Sequence, residues 1–381
     1  MGETEAVEID DILDDWFIES LKSYKDLHVY QLEHPTQIIE WTSGRILFCV
    51  FSRLCVAGYS SGKNEILELC LPLKLLADEK KGLCAERDFK VVHGGFSEAP
   101  VCCLTHIPGT RCAVTNDGLS SDLQLWDLGS DDTDVIRKTG SLSGTRVSQT
   151  GSRIAARLSS SPQVLHGAQS SSVQLTQLST GQTLYGLEVD STEPLSSLKF
   201  VSETAFLASC CGGTVYLADT RTSAPPQASA PPGECALWWT DASAALQFRF
   251  IRLSSSGQAV VSDLRNMGRA VCRAQLDFQT SPRKPEDVTV AWAPALDGCF
   301  SVSGLSGLVQ IYDTAGWRAE PQDASPLFQH AGHSVSSQHG DGSAPIFITT
   351  HVWHPERPRT LLSAASDGSV HVWDWVDPQT N

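Results

Sequence analysis

Residues 361–375 restrict the fold more than any other stretch of the chain. They read Leu-Leu-Ser-Ala-Ala-Ser-Asp-Gly-Ser-Val-His-Val-Trp-Asp-Trp: an apolar run, a turn, then an alternating run closed by Trp-Asp. Asp367-Gly368 predicts a two-residue hairpin, because glycine tolerates the positive φ such turns demand. In the second run Val370 and Val372 fall on one face, the Trp375 ring being grouped with them, and His371 and Trp373 fall on the other. A hairpin of this size cannot bury both faces alone, so it must stack on other units like itself.

Six earlier stretches repeat the pattern with falling fidelity: 64–71, 117–127, 172–178, 213–219, 257–263 and 307–313. Trp126-Asp127 closes the second, while Asp219, Asp263 and Asp313 close the last three without the tryptophan. Closing positions at 68, 127, 177, 219, 263, 313 and 374 are separated by 59, 50, 42, 44, 50 and 61 residues. The short steps match a four-stranded blade repeat of roughly 40–45 residues. The long steps carry insertions, and the segments 72–92, 130–152, 223–233 and 314–345 are read as surface excursions. The last blade ends without an outermost strand, and the alternating residues 27–32 supply one from the N-terminal side, hiding an open sheet edge.

The expected organisation is an acidic flexible tail at 1–13, a short helix on the rim at 14–26, one propeller at 27–377 and a tail at 378–381. The first 15 residues hold seven carboxylates and no Lys or Arg, so the segment repels itself. Phe17 and Leu21 share a helical face. That helix is either a plug against the rim or a partner anchor built on Trp16 and Phe17, residue types common at binding hot spots.

Twenty-eight basic against 44 acidic residues leave a formal charge of −16, which repels phosphate and argues against direct nucleic-acid binding. The 12 cysteines include two adjacent pairs and no Cys-x-x-Cys, in a chain long enough to build a core without staples. With no signal-peptide pattern and no apolar run of membrane-spanning length, they read as reduced and buried in a cytosolic or nuclear protein. No catalytic motif survives inspection. Gly304-Leu-Ser-Gly307 is one residue short of a nucleophile elbow and no phosphate loop is present. His330, His333 and His339 lie in a polar insertion with no Cys or carboxylate to complete a metal set. No cofactor, metal, membrane or catalytic residue is therefore expected, and the chain reads as a monomer on its own.

The strand–turn–strand units ending in Trp-Asp resemble the WD40 propeller family, so the fold class is all-β: a seven-bladed propeller closed by an N-terminal strand. That resemblance implies a buried hydrogen-bond chain among His333, Ser363, Asp367 and Trp373, with Asp374 completing the Trp-Asp pair. Residues 14–21, 63–67, 86–96 and 350–362 resemble, more narrowly, the WD repeat-containing protein 73 family. The resemblance implies a non-enzymatic cytoplasmic factor that holds Integrator subunits 9 and 11 together, keeps that nuclease inactive, and yields to a HEAT-repeat partner, the BRCA-associated ATM activator. It also implies an alternative, a microtubule-associated scaffold at spindle poles and the cleavage furrow, with tubulin as partner. On these readings the partner contacts are Trp16, Phe17, Arg87, Phe89, Arg357 and Arg359, the two last forming a local basic face.

Overall fold

The computed structural model describes residues 22–42, 53–58, 64–72, 88–130, 132–144, 151–233, 236–243, 248–277, 288–304, 307–333 and 346–376. They form seven antiparallel sheets, one per blade, at 36–97, 103–142, 153–186, 195–229, 238–276, 289–330 and 348–375. The first strand of every blade lies against the first strands of both neighbours, and the seventh returns to the first. The ring is therefore closed, with the first strands around its axis and the fourth at its circumference. Alternation drives this arrangement: one set of each strand's side chains packs on the preceding blade and the other on the following one. Val370 and Val372 pack with Leu54, Val56 and Leu69 of blade 1, while Trp373 packs with Val309 and Ile311 of blade 6. Trp375 joins Trp373 and not the valines, as a period of two requires. Among the described residues no helix is long and apolar enough to cross a membrane.

The seventh blade is completed by the N-terminal strand Tyr24–Gln31, antiparallel to Ser369–Trp375. Leu27 lies opposite Trp373, Val29 opposite His371 and Gln31 opposite Ser369. The ladder continues past both ends, with Leu32 N–H donating to Gly368 O and Val376 N–H to Ser23 O, each at 2.9 Å. The strand begins at Tyr24, so residues 24–26 belong to the sheet and not to the expected helix. Lys22 and Ser23 are helical, and the remainder of that helix, including Trp16 and Phe17, lies outside the described residues.

Two local expectations change. The hairpin at 367–368 is a four-residue turn closed by Gly368 N–H to Ala365 O at 3.1 Å, and only Gly368 is left-handed, at φ +87°. Gly213 and Gly257 close the same turn onto Cys210 and Ser254, each at 3.0 Å. One left-handed position is needed where the two-residue turn needs two. Three insertions, moreover, contain the outermost strands Arg137–Leu142, Gln227–Ser229 and Phe328–His330, and the first runs into another, Lys90–Ser97. Residues 318–324 then cross to blade 5, where Asp323–Ala324 pairs in parallel with Gln275 and Leu276 as a fifth strand. Residues 134–136 likewise bond Gly94 of blade 1, covering an edge that would otherwise invite another chain.

Candidate protein-interaction site

The closing aspartates are turn caps. Asp127, Asp219, Asp263 and Asp313 each accept the backbone N–H two residues on, at 3.1, 2.9, 2.8 and 2.8 Å. This is the side-chain turn that short acids form most readily. Asp219 and Asp263 also chelate Arg221 and Arg265, which hold both carboxyls down at about 2. Asp374 differs because blade 7 has no third-to-fourth turn to cap. It sits half-buried, and burial raises its carboxyl, with Lys25, Arg359 and Arg357 opposing.

Inside blade 7 the buried chain runs in one direction. Trp373 Nε1–H donates to Ser363 Oγ (3.2 Å), Ser363 O–H to His333 Nε2 (2.9 Å), His333 Nδ1–H to Ser369 Oγ (2.7 Å), and Ser369 O–H to Asp367 Oδ1 (2.6 Å). The tautomer follows from the partners. Asp367 thus reaches His333 through Ser369, a member that the motif does not contain. A second chain crosses it: Tyr24 O–H donates to His330 Nδ1 (2.7 Å) and His330 Nε2–H to His371 Nδ1 (3.1 Å). It joins the closing strand to blades 6 and 7. In blade 5 Arg252 stands five residues before the turn glycine, where Ser363 stands in blade 7. Its buried guanidinium bonds Gly213 O and Ala230 O, and burial lowers it to about 10.

His330 and His333 are therefore buried structural residues, not members of an exposed polar insertion. With His371 they bring three ring nitrogens within 4.8 Å of one another. A metal lies in the plane of each imidazole that binds it. The His333 and His371 rings stack with centroids 3.6 Å apart and planes 12° from parallel, so one ion cannot serve both. Both nitrogens of His333 are also committed to serines. Burial holds His371 down at about 4 and His330 and His333 well below their ordinary value.

The residues named as partner contacts scatter. Trp16, Phe17 and Arg87 lie outside the described residues. Phe89 is 8% exposed and stacks on Tyr30 at 5.1 Å, which makes it core between the closing strand and blade 1 and unavailable to a partner. Arg357 is exposed, whereas Arg359 lies over the Trp375 ring at 5.5 Å, with Asp374 nearby.

The arrangement missed from the sequence is the mouth of the central channel above blades 2–5. A cavity of about 340 Å³ opens there, lined by Cys103, Arg153, Leu195 and Trp238, the first residues of four successive innermost strands. Leu119 of blade 2 and Leu237 ahead of blade 5 also line it, 71% and 40% exposed. Arg153 donates from Nε to Leu195 O at 3.3 Å and makes no ion pair among the described residues. Cys102, Cys103 and Cys211 add thiols. Burial holds Cys103 up at about 11 and raises Cys211, Arg153 opposing in both, so these two thiols are neutral. The one readable signal was positional: a basic residue opening an innermost strand faces the channel.

No family model matches the chain. Similarity to individual proteins is extensive. A Danio rerio protein named Integrator complex assembly factor WDR73 is 46% identical over 375 residues, covering 97% of this chain and 98% of its own. Proteins of the same name from Homo sapiens and Xenopus laevis are each 38% identical, over 96% and 94% of this chain and 98% and 97% of their own. With identity of this level along nearly the whole propeller, the chain belongs to the WDR73 family of WD40 propeller proteins.

Proposed function

We propose that this chain is a non-catalytic scaffold for assembly of the Integrator complex, acting in the cytoplasm on subunits 9 and 11, the two metallo-β-lactamase-fold partners. In this reading it holds the pair together with the nuclease inactive, then gives way to the HEAT-repeat BRCA-associated ATM activator. The supporting observation is the near-full-length similarity to proteins named as Integrator complex assembly factors. The chemistry agrees with it. The buried histidines and serines of blades 6 and 7 are spent on one another, leaving them no part in a nucleophile–base pair facing the channel among the described residues. The chain carries a formal charge of −16, which suits occupation of a groove built for an anionic polymer.

Co-expression with subunits 9 and 11, followed by affinity capture of the full chain, tests the reading. Stoichiometric recovery of the pair is expected; recovery of neither by folded protein would remove the proposal. Trp16→Ala with Phe17→Ala should weaken capture more than it lowers the melting temperature. The reverse result would make those aromatic residues structural.

A further inference from the structure

The channel mouth above blades 2–5 combines features that the propeller itself does not use. Arg153 reaches from the start of blade 3 to the start of blade 4 and engages Leu195 O through Nε alone, so its two terminal nitrogens have no described hydrogen-bond partner. Asp117 of the cavity wall and Glu193, next in sequence to Pro194 of that wall, already accept hydrogen bonds. Asp117 accepts from the backbone of Leu119 and Ser120, at 2.9 and 2.8 Å, and Glu193 accepts from Gly212 N–H. Trp238, 1% exposed, forms part of the same wall, and its indole N–H has no partner among the described residues. A guanidinium offering two parallel N–H donors matches a carboxylate. Exposed apolar side chains in the lining, Leu119 from blade 2 and Leu237 ahead of blade 5, call for apolar groups in the segment that carries that carboxylate.

We propose that this mouth is a docking site for an extended segment of a partner protein, in which one internal Asp or Glu side chain is seated on Arg153 between two apolar residues resting on Leu119 and Leu237. An internal acid meets the arrangement better than a chain end, which has residues on only one side of its carboxylate. The net charge of −16 repels acidic chains at long range, so recognition depends on one acid at short range and not on a run of them. The site deepens the scaffold reading and rests on it only for the partner being a protein.

The test uses the full chain and blocked synthetic peptides, with no Integrator subunit present, so its failure leaves the capture experiment untouched. Three fluorescent nonapeptides carry Gly-Ser-Leu-Gly-X-Gly-Leu-Ser-Gly, which puts X and both leucines on one face of an extended chain, with both ends capped and X as Asp, Glu or Gln. A fourth has X as Gln and a free C-terminal carboxylate. Binding is read by fluorescence polarisation, and occupancy of the mouth by the alkylation rate of Cys102, followed by mass spectrometry. An acidic peptide should bind at least tenfold tighter than the capped Gln peptide and slow alkylation of Cys102. Arg153→Gln should abolish the preference with an unchanged melting temperature, and Arg153→Lys should restore part of it. Equal binding of acid and Gln peptides, no saturable binding at millimolar peptide, tighter binding of the free chain end, or a preference surviving in folded Arg153→Gln would each overturn the proposal.

Discussion

Ser369 stands between Asp367 and His333, its hydroxyl 2.6 Å from the carboxylate and 2.7 Å from Nδ1 of the imidazole. Between the donor Trp373 and the acceptor Asp367, each of Ser363, His333 and Ser369 donates one hydrogen bond and accepts one, which is the condition for a buried polar network to stabilise. Ser369→Ala removes the link and leaves the His333 N–H buried without a partner. That loss is worth about 1–3 kcal/mol, measured as a lower urea midpoint with an unchanged m-value. Ser369→Thr should retain most of the stability. If alanine proves neutral, the relay does not contribute to stability.

The closing strand offers a second prediction. Deleting residues 1–31 uncovers the ladder edge of Ser369–Trp375 and exposes the apolar partners of Leu27 and Tyr24. Such an edge is a template for another chain. The truncated protein should self-associate, and amides of 369–375 should lose hydrogen-exchange protection. A synthetic peptide of residues 22–33 should raise the melting temperature with increasing peptide concentration, because a ligand that binds only the folded state stabilises by mass action. A truncated protein that stays monomeric and protected would show that the ring does not need this strand.

The ring and its closure were legible because blade endings are strongly patterned: alternating β-branched residues, a turn glycine and a capping acid all come from short-range rules. The outermost strands were not. Arg137–Leu142 and Gln227–Ser229 are mostly polar, since a circumferential strand faces solvent and needs no apolar period. Long-range placement was also hidden. Phe89 reads as an exposed aromatic beside charges until the closing strand brings Tyr30 over it. Arg153 gains significance only when the ring sets blade 3 beside blade 4.

Acid should destabilise this protein well above the carboxylate range. Burial holds His166, His354 and His371 at about 4 and His351 at about 3. His351 is fixed between Ser301 and Ser303 at 2.6 and 2.7 Å. The unfolded chain binds protons near pH 6.5 and the folded chain does not, so stability rises with pH. The contribution is complete above pH 6.5 and withdraws as pH falls toward 4, at up to about 1.4 kcal/mol per pH unit for each fully buried histidine. Glu40 acts in the opposite sense: burial raises it to about 7, so its contribution fades as pH rises from 4.5 to 7. Several histidines outweigh one glutamate, and thermal melts should show a falling midpoint from pH 6.5 to 4.5. A flat profile over that interval would mean that the histidines are not buried as described.

The junction of blades 1 and 2 rests on a charge that sequence alternation does hint at, since Glu68 shares a face with buried Ile66. Its carboxylate is fully buried and accepts from Thr42 Oγ (2.8 Å), His93 Nδ1 (2.6 Å) and both terminal nitrogens of Arg111 (2.7 Å each). Burial alone would raise the Glu68 carboxyl, yet the Arg111, Thr42 and His93 hydrogen bonds bring it below its ordinary value. Removing one partner of such a pair is far worse than removing both, because the buried carboxylate would keep only Arg53, 3.7 Å away, as a counter-charge. Arg111→Met should therefore cost about 3 kcal/mol, the low end for a buried pair, since the Arg111 side chain is 32% exposed. The double variant Glu68→Leu with Arg111→Met should recover at least half of that loss in chemical unfolding. If the double variant is less stable than Arg111→Met, the Glu68 bonds to Thr42 and His93 hold the junction and the arginine is secondary.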